Sequence, residues 1–334
     1  MSTVAESLSA VRLGEPQAHR NLSLFPLLGE AANAPEYLLL EEALARGLVR
    51  VTEVSEGGSV PELLLVNEGE RPVLLLDGEE LVGAKQNRIL NLSVLVGPHS
   101  RTVIPVSCVE AGRWRHTSPE FAASGRTHYA SGRVHTAVSV SDSLRDRGSR
   151  RSDQGAVWAD IDAKAARMGV HSQTSAAAAL YERHEGSLEA YLGAFTPLAE
   201  QTGALFAINS RVVGLDLFDA PATLARVLAK LVRSYALDAL DEGERPGEPA
   251  RFDAERLLEQ TKSAPVERFP AVGLGEDLRL ASPTLAGGAL ALDGRLVHLC
   301  AFALPGAAGD TAGEGTDTGT RLVRASRRSW GRLA

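Results

Sequence analysis

Apolar residues in the first third of the chain fall into short runs without a helical period. Asn21–Leu28, Leu48–Val54, Glu62–Asn67, Val73–Leu76, Ile89–Val96 and Arg101–Val109 are rich in Leu and Val and read as strands. Glu56-Gly57-Gly58, Asn67-Glu68-Gly69, Asp77-Gly78 and Gly97-Pro98 separate them with turn chemistry, as in an antiparallel sheet system. One helix interrupts the strands: Leu40–Arg46 carries acids in its first turn and stops at Gly47. The pattern predicts an N-terminal extension over 1–19 and an antiparallel β-sandwich-like module over 20–112.

Between 113 and 152 the pattern dissolves into Gly, Ser, Arg, His and Thr. From 153 to 304 helical and strand periods alternate. Asp153 caps a helix through Trp158, Ile161, Ala165 and Met168, and Ser187 opens another. Ala204–Asn209 and Val212–Phe218 form a hairpin turning at Asn209-Ser210, with Asp219 as N-cap and Pro221 in the first turn of an apolar helix through Tyr235 and Leu240. A helix over Asp253–Thr261 precedes strands near Val266–Phe269, Leu278–Ala281, Gly288–Leu292 and Leu296–Phe302. The last two meet at Asp293-Gly294, a type I′ hairpin signal. The expected fold is α+β: the sandwich-like module, then a helix-rich module with a small antiparallel sheet. A stretch poor in aromatics, 305–334, reads as a disordered tail.

Composition narrows the class. The 334 residues are 44% hydrophobic and 23% charged, with 35 basic against 42 acidic side chains and a net charge of −7. Such values fit a globular chain. No run approaches a membrane span, no secretory signal opens the chain, and two cysteines cannot make a disulfide framework; the expectation is cytoplasmic. The charge is uneven, however. Residues 113–152 hold eight arginines against three acids, so the segment reads as a basic connector loop that is either solvated or orders over a phosphate-bearing ligand. Dinucleotide, phosphate-loop, nucleophile-elbow and zinc motifs are absent. We expect no metal, no sequence-specific nucleic acid and no membrane partner.

Two local clusters carry the candidate chemistry. Lys85-Gln86-Asn87-Arg88 is a polar interruption between apolar strands, able to meet phosphate, ribose hydroxyls or a base edge. Cys108 alternates with Ile104 and Val106 and reads as a small core residue, whereas Glu110, Arg113 and Trp114 stand at the strand's end and suit a ligand rim. Asp77-Gly78 reads as a hairpin turn, after which Glu79 and Glu80 face opposite sides. Asp216, between two leucines, is either exposed or paired with an arginine such as Arg233.

The run from Pro72 to Arg88 with Ile104–Glu110 and Gly112-Arg113-Trp114, joined later by Phe206–Asn209, Gly214–Asp219 and Arg233–Leu237, resembles the ARG and Rhodanese-Phosphatase-superfamily-associated protein domain family of bacteria and archaea. The resemblance covers roughly 20–302 and implies a context in NAD and ADP-ribose metabolism. It carries onto this chain, as site residues, Asp77, Glu79, Glu80, Lys85, Gln86, Asn87 and Arg88, then Ser107, Cys108, Glu110, Arg113 and Trp114. Three readings follow. The first is an accessory protein binding ADP-ribose or a related phosphorylated nucleotide. The second is a hydrolase of ADP-ribosyl or phosphoester bonds with Glu80 or Glu110 as general base, and the third a non-catalytic scaffold, homo-oligomeric or partnered.

Overall fold

The computed structural model describes residues 2–29 and 35–305. It is a mixed α+β fold whose sheets are almost wholly antiparallel. The largest sheet has nine strands. Its centre is two hairpins placed edge to edge: Gln201–Ile208 with Arg211–Phe218, and Leu285–Leu292 with Arg295–Ala303. Both turn where sequence chemistry says they should. Asn209 adopts φ 55°, and Asp293 and Gly294 adopt φ 49° and 75°, the paired positive values that a type I′ turn needs. Glu276–Ser282 and Val266–Pro270 extend one side of the sheet, and Leu22–Leu28 extends the other by pairing with Gln201–Ile208.

That pairing redraws the expected modules. Leu22–Leu28 lies in the C-terminal sheet, and the residues read as an extension form a helix, Thr3–Ser9, and two short strands against Leu22–Leu28. The reason is burial on both faces: every residue of Leu22–Leu28 is buried. Leu22 and Leu24 join Phe206, Tyr235 and Phe302 on one side, whereas Phe25 and Leu27 join Leu205, Leu215 and Leu299 on the other. The first of these cores also includes Leu74, Leu76, Ile89 and Leu95, so it spans residues from both expected modules.

The remaining N-terminal strands form two smaller sheets. Six strands run in the order Phe121–Thr127, Glu79–Gly83, Arg88–Leu90, Ser100–Cys108, Glu62–Asn67, Val49–Glu53; a three-stranded sheet holds Val94–Val96, Val73–Leu75 and Leu38–Leu39. The expected single strand over Ile89–Val96 is therefore two strands in different sheets. Asp77-Gly78 is a turn, with Gly78 at φ 73°, but it is not a hairpin: it passes the chain from one small sheet to the other.

The segment 113–152 is not a loop either. It contains the strand Phe121–Thr127 and the helix Ala130–Arg147, closed by Gly148 in the left-handed conformation. The inward face of that helix is Ala130, Gly132, Arg133, Thr136, Ala137, Val140, Ser141 and Leu144. Small and polar residues hide the helical period from a hydrophobicity reading. Gly132 shows how tight this face is, because a Cβ there would come within 2.3 Å of Nε2 of the buried His128 ring. Gly132→Ala should lower the unfolding free energy by about 2 kcal/mol in chemical denaturation, the usual scale of overpacking; an unchanged midpoint would contradict this packing.

The helices Leu40–Ala45, Gln154–Arg167, Glu185–Leu192, Pro221–Glu242 and Arg251–Ser263 match their expected positions within a few residues. Asp153 caps its helix by accepting from the Ala156 N–H. Asp219 does not cap: the N-cap is Ala220, and Asp219 instead accepts a hydrogen bond from the Tyr37 hydroxyl at 2.5 Å. The tail 305–334 lies, from residue 306 on, outside the described residues. Among the described residues no helix is long and apolar enough to cross a membrane.

Candidate functional site

The two polar motifs fold against each other. Arg88–Leu90 pairs with Ser100–Cys108 in a register that places Cys108 opposite Arg88, and the following turn brings Glu110 and Arg113 beneath the 84–87 bend. Lys85, Gln86, Asn87, Arg88, Cys108, Glu110, Arg113 and Trp114 thus form one cluster. Most of its polar groups are already partnered. Lys85 Nζ donates to the Glu56 and Gly57 carbonyls at 2.5 and 2.6 Å. Arg113 Nε donates to Glu110 Oε2 at 2.8 Å, and its Nη atoms reach the Ala84 carbonyl and Asn87 Oδ1. Gln86 Nε2 donates to the Glu110 carbonyl and its Oε1 accepts from Arg88 Nη1.

This bonding decides what the groups can do. Burial alone would raise the Glu110 carboxyl, but hydrogen bonds from Arg113, the Asn87 N–H and Thr174 outweigh it and hold it below the ordinary carboxylate range. A carboxylate so held is a weak general base. Burial pushes the Cys108 thiol upward, against the opposing Glu110 backbone and Arg88, which disfavours the thiolate, and its side chain is wholly buried. Arg88 is the exception. It is fully buried, its Nε and Nη2 have no hydrogen-bond partner among the described residues, and Trp114 lies over it at 5.8 Å. Burial lowers its guanidinium from the ordinary value, with Cys108 and Glu53 opposing.

The other motif residues lie elsewhere. Glu79 and Glu80 do turn apart: Glu79 accepts from Lys230 at 2.6 Å, whereas Glu80 accepts from Arg126 at 2.9 Å. Ser107 donates to Asn91 Oδ1 at 2.6 Å and bonds Ser152. Asp77 accepts from Arg133 Nε at 2.7 Å, and the same guanidinium grips Asp216 through Nη2 at 2.6 Å and Nη1 at 3.2 Å. Gly78 makes room for this, since a Cβ there would fall 2.9 Å from Arg133 Cγ. Asp216 is therefore buried and paired with Arg133, while Arg233 pairs with Glu189. His298 Nε2 also reaches Asp216 Oδ1 at 3.3 Å. Desolvation would raise Asp216, yet Arg133 and His298 bring it down to about 2.

His298 and Ser93 escaped the sequence reading. One signal was available: in Leu296–Phe302 and Leu215–Phe218, strict alternation puts His298 and Asp216 on the same buried side as Cys300 and Phe218, where a polar residue needs a partner.

A cavity sits away from both networks. It has a volume of about 340 Å³, within the range of small-ligand sites. Pro61, Val103, Pro105 and Val272 give it an apolar lining, and Arg147, Gly148, Ser149, Arg150 and Arg151 a basic one, with Glu62 as the one acid among the lining residues. Arg150 donates to Asp277 Oδ2 at 3.1 Å and to the Pro270 carbonyl. Arg147 and Arg151 are exposed and make no ion pair or side-chain hydrogen bond among the described residues. The C-terminal part of the basic segment thus lines a cleft.

A family model described as the ARG and Rhodanese-Phosphatase-superfamily-associated Protein domain matches residues 10–302. No curated protein and no solved structure matches the chain.

Proposed function

We propose a function from one premise: this chain belongs to the ARG and Rhodanese-Phosphatase-superfamily-associated Protein domain family. It binds a phosphorylated nucleotide of the ADP-ribose type, as a cytoplasmic accessory of NAD or ADP-ribose metabolism. The observation that carries this reading is the cleft of about 340 Å³ lined by Arg147, Arg150 and Arg151. Arginine forks match phosphate geometry, and two of these three have no carboxylate partner among the described residues. The apolar lining of Val103, Pro61 and Pro105 suits the face of a base or ribose. Lys85 and Arg113, by contrast, direct their donors into the protein, so they brace the fold beneath Trp114.

A second anion position is favoured by Arg88, which has two buried nitrogens without a hydrogen-bond partner among the described residues, under an exposed tryptophan. A small anion reaching them from the Trp114 side would complete the guanidinium.

Calorimetric titration with ADP-ribose, NAD and pyrophosphate tests the cleft. The expected result is saturable binding that weakens with salt and falls at least about tenfold in an Arg147→Ala, Arg151→Ala double variant, given about 1.5–3 kcal/mol for hydrogen bonds to charged groups. No heat at millimolar ligand would remove the function. Unchanged affinity in the double variant would remove the cleft, and loss in Arg88→Met instead would move the site under Trp114.

A further inference from the structure

Between the large sheet and the Asp77–Ser93 strands lies a buried polar system that nucleotide binding does not use. Ser93 Oγ is 2.7 Å from His298 Nδ1, and His298 Nε2 is 3.3 Å from Asp216 Oδ1. The proton positions follow from the partners. Asp216, gripped by Arg133, is a carboxylate and only accepts, so Nε2 carries the imidazole proton. In the neutral ring Nδ1 is then an acceptor. Ser93 Oγ accepts the Asp77 N–H at 2.9 Å, and in that neutral tautomer its own proton is free to go to Nδ1. Nucleophile, base and orienting carboxylate stand in the order used by serine hydrolases, with the two ring nitrogens exchanged.

Ser93 is partly exposed and lines a recess shared with Asp77, Asp277, Arg279 and Cys300. Arg279 is 3% exposed, pairs with Asp277 at 2.7 Å, and has an Nε without a hydrogen-bond partner among the described residues. That Nε–H, without a partner among the described residues, lines the same recess as the Ser93 hydroxyl, and such a donor suits a developing oxyanion. The recess has room for about one water, so the electrophile must be slim. Asp277 also accepts from Arg150 of the basic cleft, which sets the two sites on either side of one ion pair.

We infer that Ser93 is an acyl-accepting nucleophile, with His298 as its base, for small carboxylic esters. Oγ attacks the ester carbonyl, its proton passes to His298 Nδ1, and the Arg279 Nε–H stabilises the oxyanion. As the carbonyl re-forms, the C–O bond to the alcohol breaks and His298 returns the proton to the alkoxide; water then releases the acid by the same route. Asp216 and Arg133 are positioning residues. The inference does not depend on what the cleft binds.

The test is incubation of the full chain with p-nitrophenyl acetate, followed by intact mass, peptide mapping and nitrophenolate release. One acetyl group on Ser93 and a burst of one equivalent are expected. His298→Gln should slow acetylation at least about a hundredfold, the low end of general-base effects. Ser93→Ala should abolish the burst while keeping its melting transition. An acetyl group found elsewhere, or none on a folded wild-type chain, overturns the assignment. Should Ser93→Ala fail to fold, the wild-type peptide map alone decides between those outcomes.

Discussion

Replacing Arg133 by methionine is expected to lower the unfolding free energy by about 3–5 kcal/mol, the cost of leaving buried carboxylates without their cation. Arg133 is 1% exposed, and its fork spans Asp216 in the large sheet and Asp77 in the turn between the two small sheets. Removing it leaves two buried carboxylates facing each other between the layers. Arg133→Lys should fall between the two, because a single ammonium cannot hold both partners with the geometry of a guanidinium. Combining Arg133→Met with Asp77→Asn and Asp216→Asn should recover much of the loss, since the damage comes from uncompensated charge. Urea unfolding at pH 7 measures all three. A loss below about 1 kcal/mol in Arg133→Met would mean that the network does not tie the sheets together.

Acid should weaken the fold before its carboxylates titrate. Burial holds the His128 ring neutral and depresses it to about 4, with Asp160 and Asp238 opposing and Lys164 and His135 adding to the effect. The unfolded chain binds this proton below about pH 6.5, and the folded chain only near 4. Unfolded molecules therefore hold more protons between those values, so stability falls as pH falls through the window. The loss from this group reaches about 3 kcal/mol at 1.36 kcal/mol per unit. Asp160, lowered to about 2 by His135 and Tyr129 against its own burial, contributes stability that is lost only below about pH 4. His135, raised chiefly by its hydrogen bond to Asp160, contributes below about 6.5 and loses that contribution as pH rises through its folded value, outside the same window. Urea midpoints across pH 7 to 4, with the His128 ring followed by NMR, measure the effect. A ring that titrates near 6.5 in the folded protein would refute it.

How much of this was legible beforehand depends on the range of the interaction. The hairpins at Asn209 and Asp293-Gly294, the Pro221–Glu242 helix and the Asp153 cap were readable, because turn chemistry, capping and periodicity act over a few residues. The Ala130–Arg147 helix was not: its buried side includes Arg133, Thr136 and Ser141, which look like loop composition until a partner surface is known. The motif from Lys85 to Trp114 was recognisable as a unit, and the structure does bring most of it together. Its chemistry was less visible. Whether Lys85 and Arg113 meet a ligand or the protein's own carbonyls depends on the neighbouring 56–57 loop and the 110–113 turn, which the local sequence does not specify.

By itself, then, the sequence determined the α+β class, the family, the main strands and helices, and an excess of arginine after residue 112. Those properties are local, or additive along the chain. Only the tertiary structure decided that Leu22–Leu28 joins the distant sheet, that Arg147 and Arg151 face a cleft, and that Asp77, Ser93, Arg133, Asp216 and His298 meet. A buried polar group takes whichever partner the packing of apolar faces carries to it, and here Ser93 and His298 meet across 205 residues of chain.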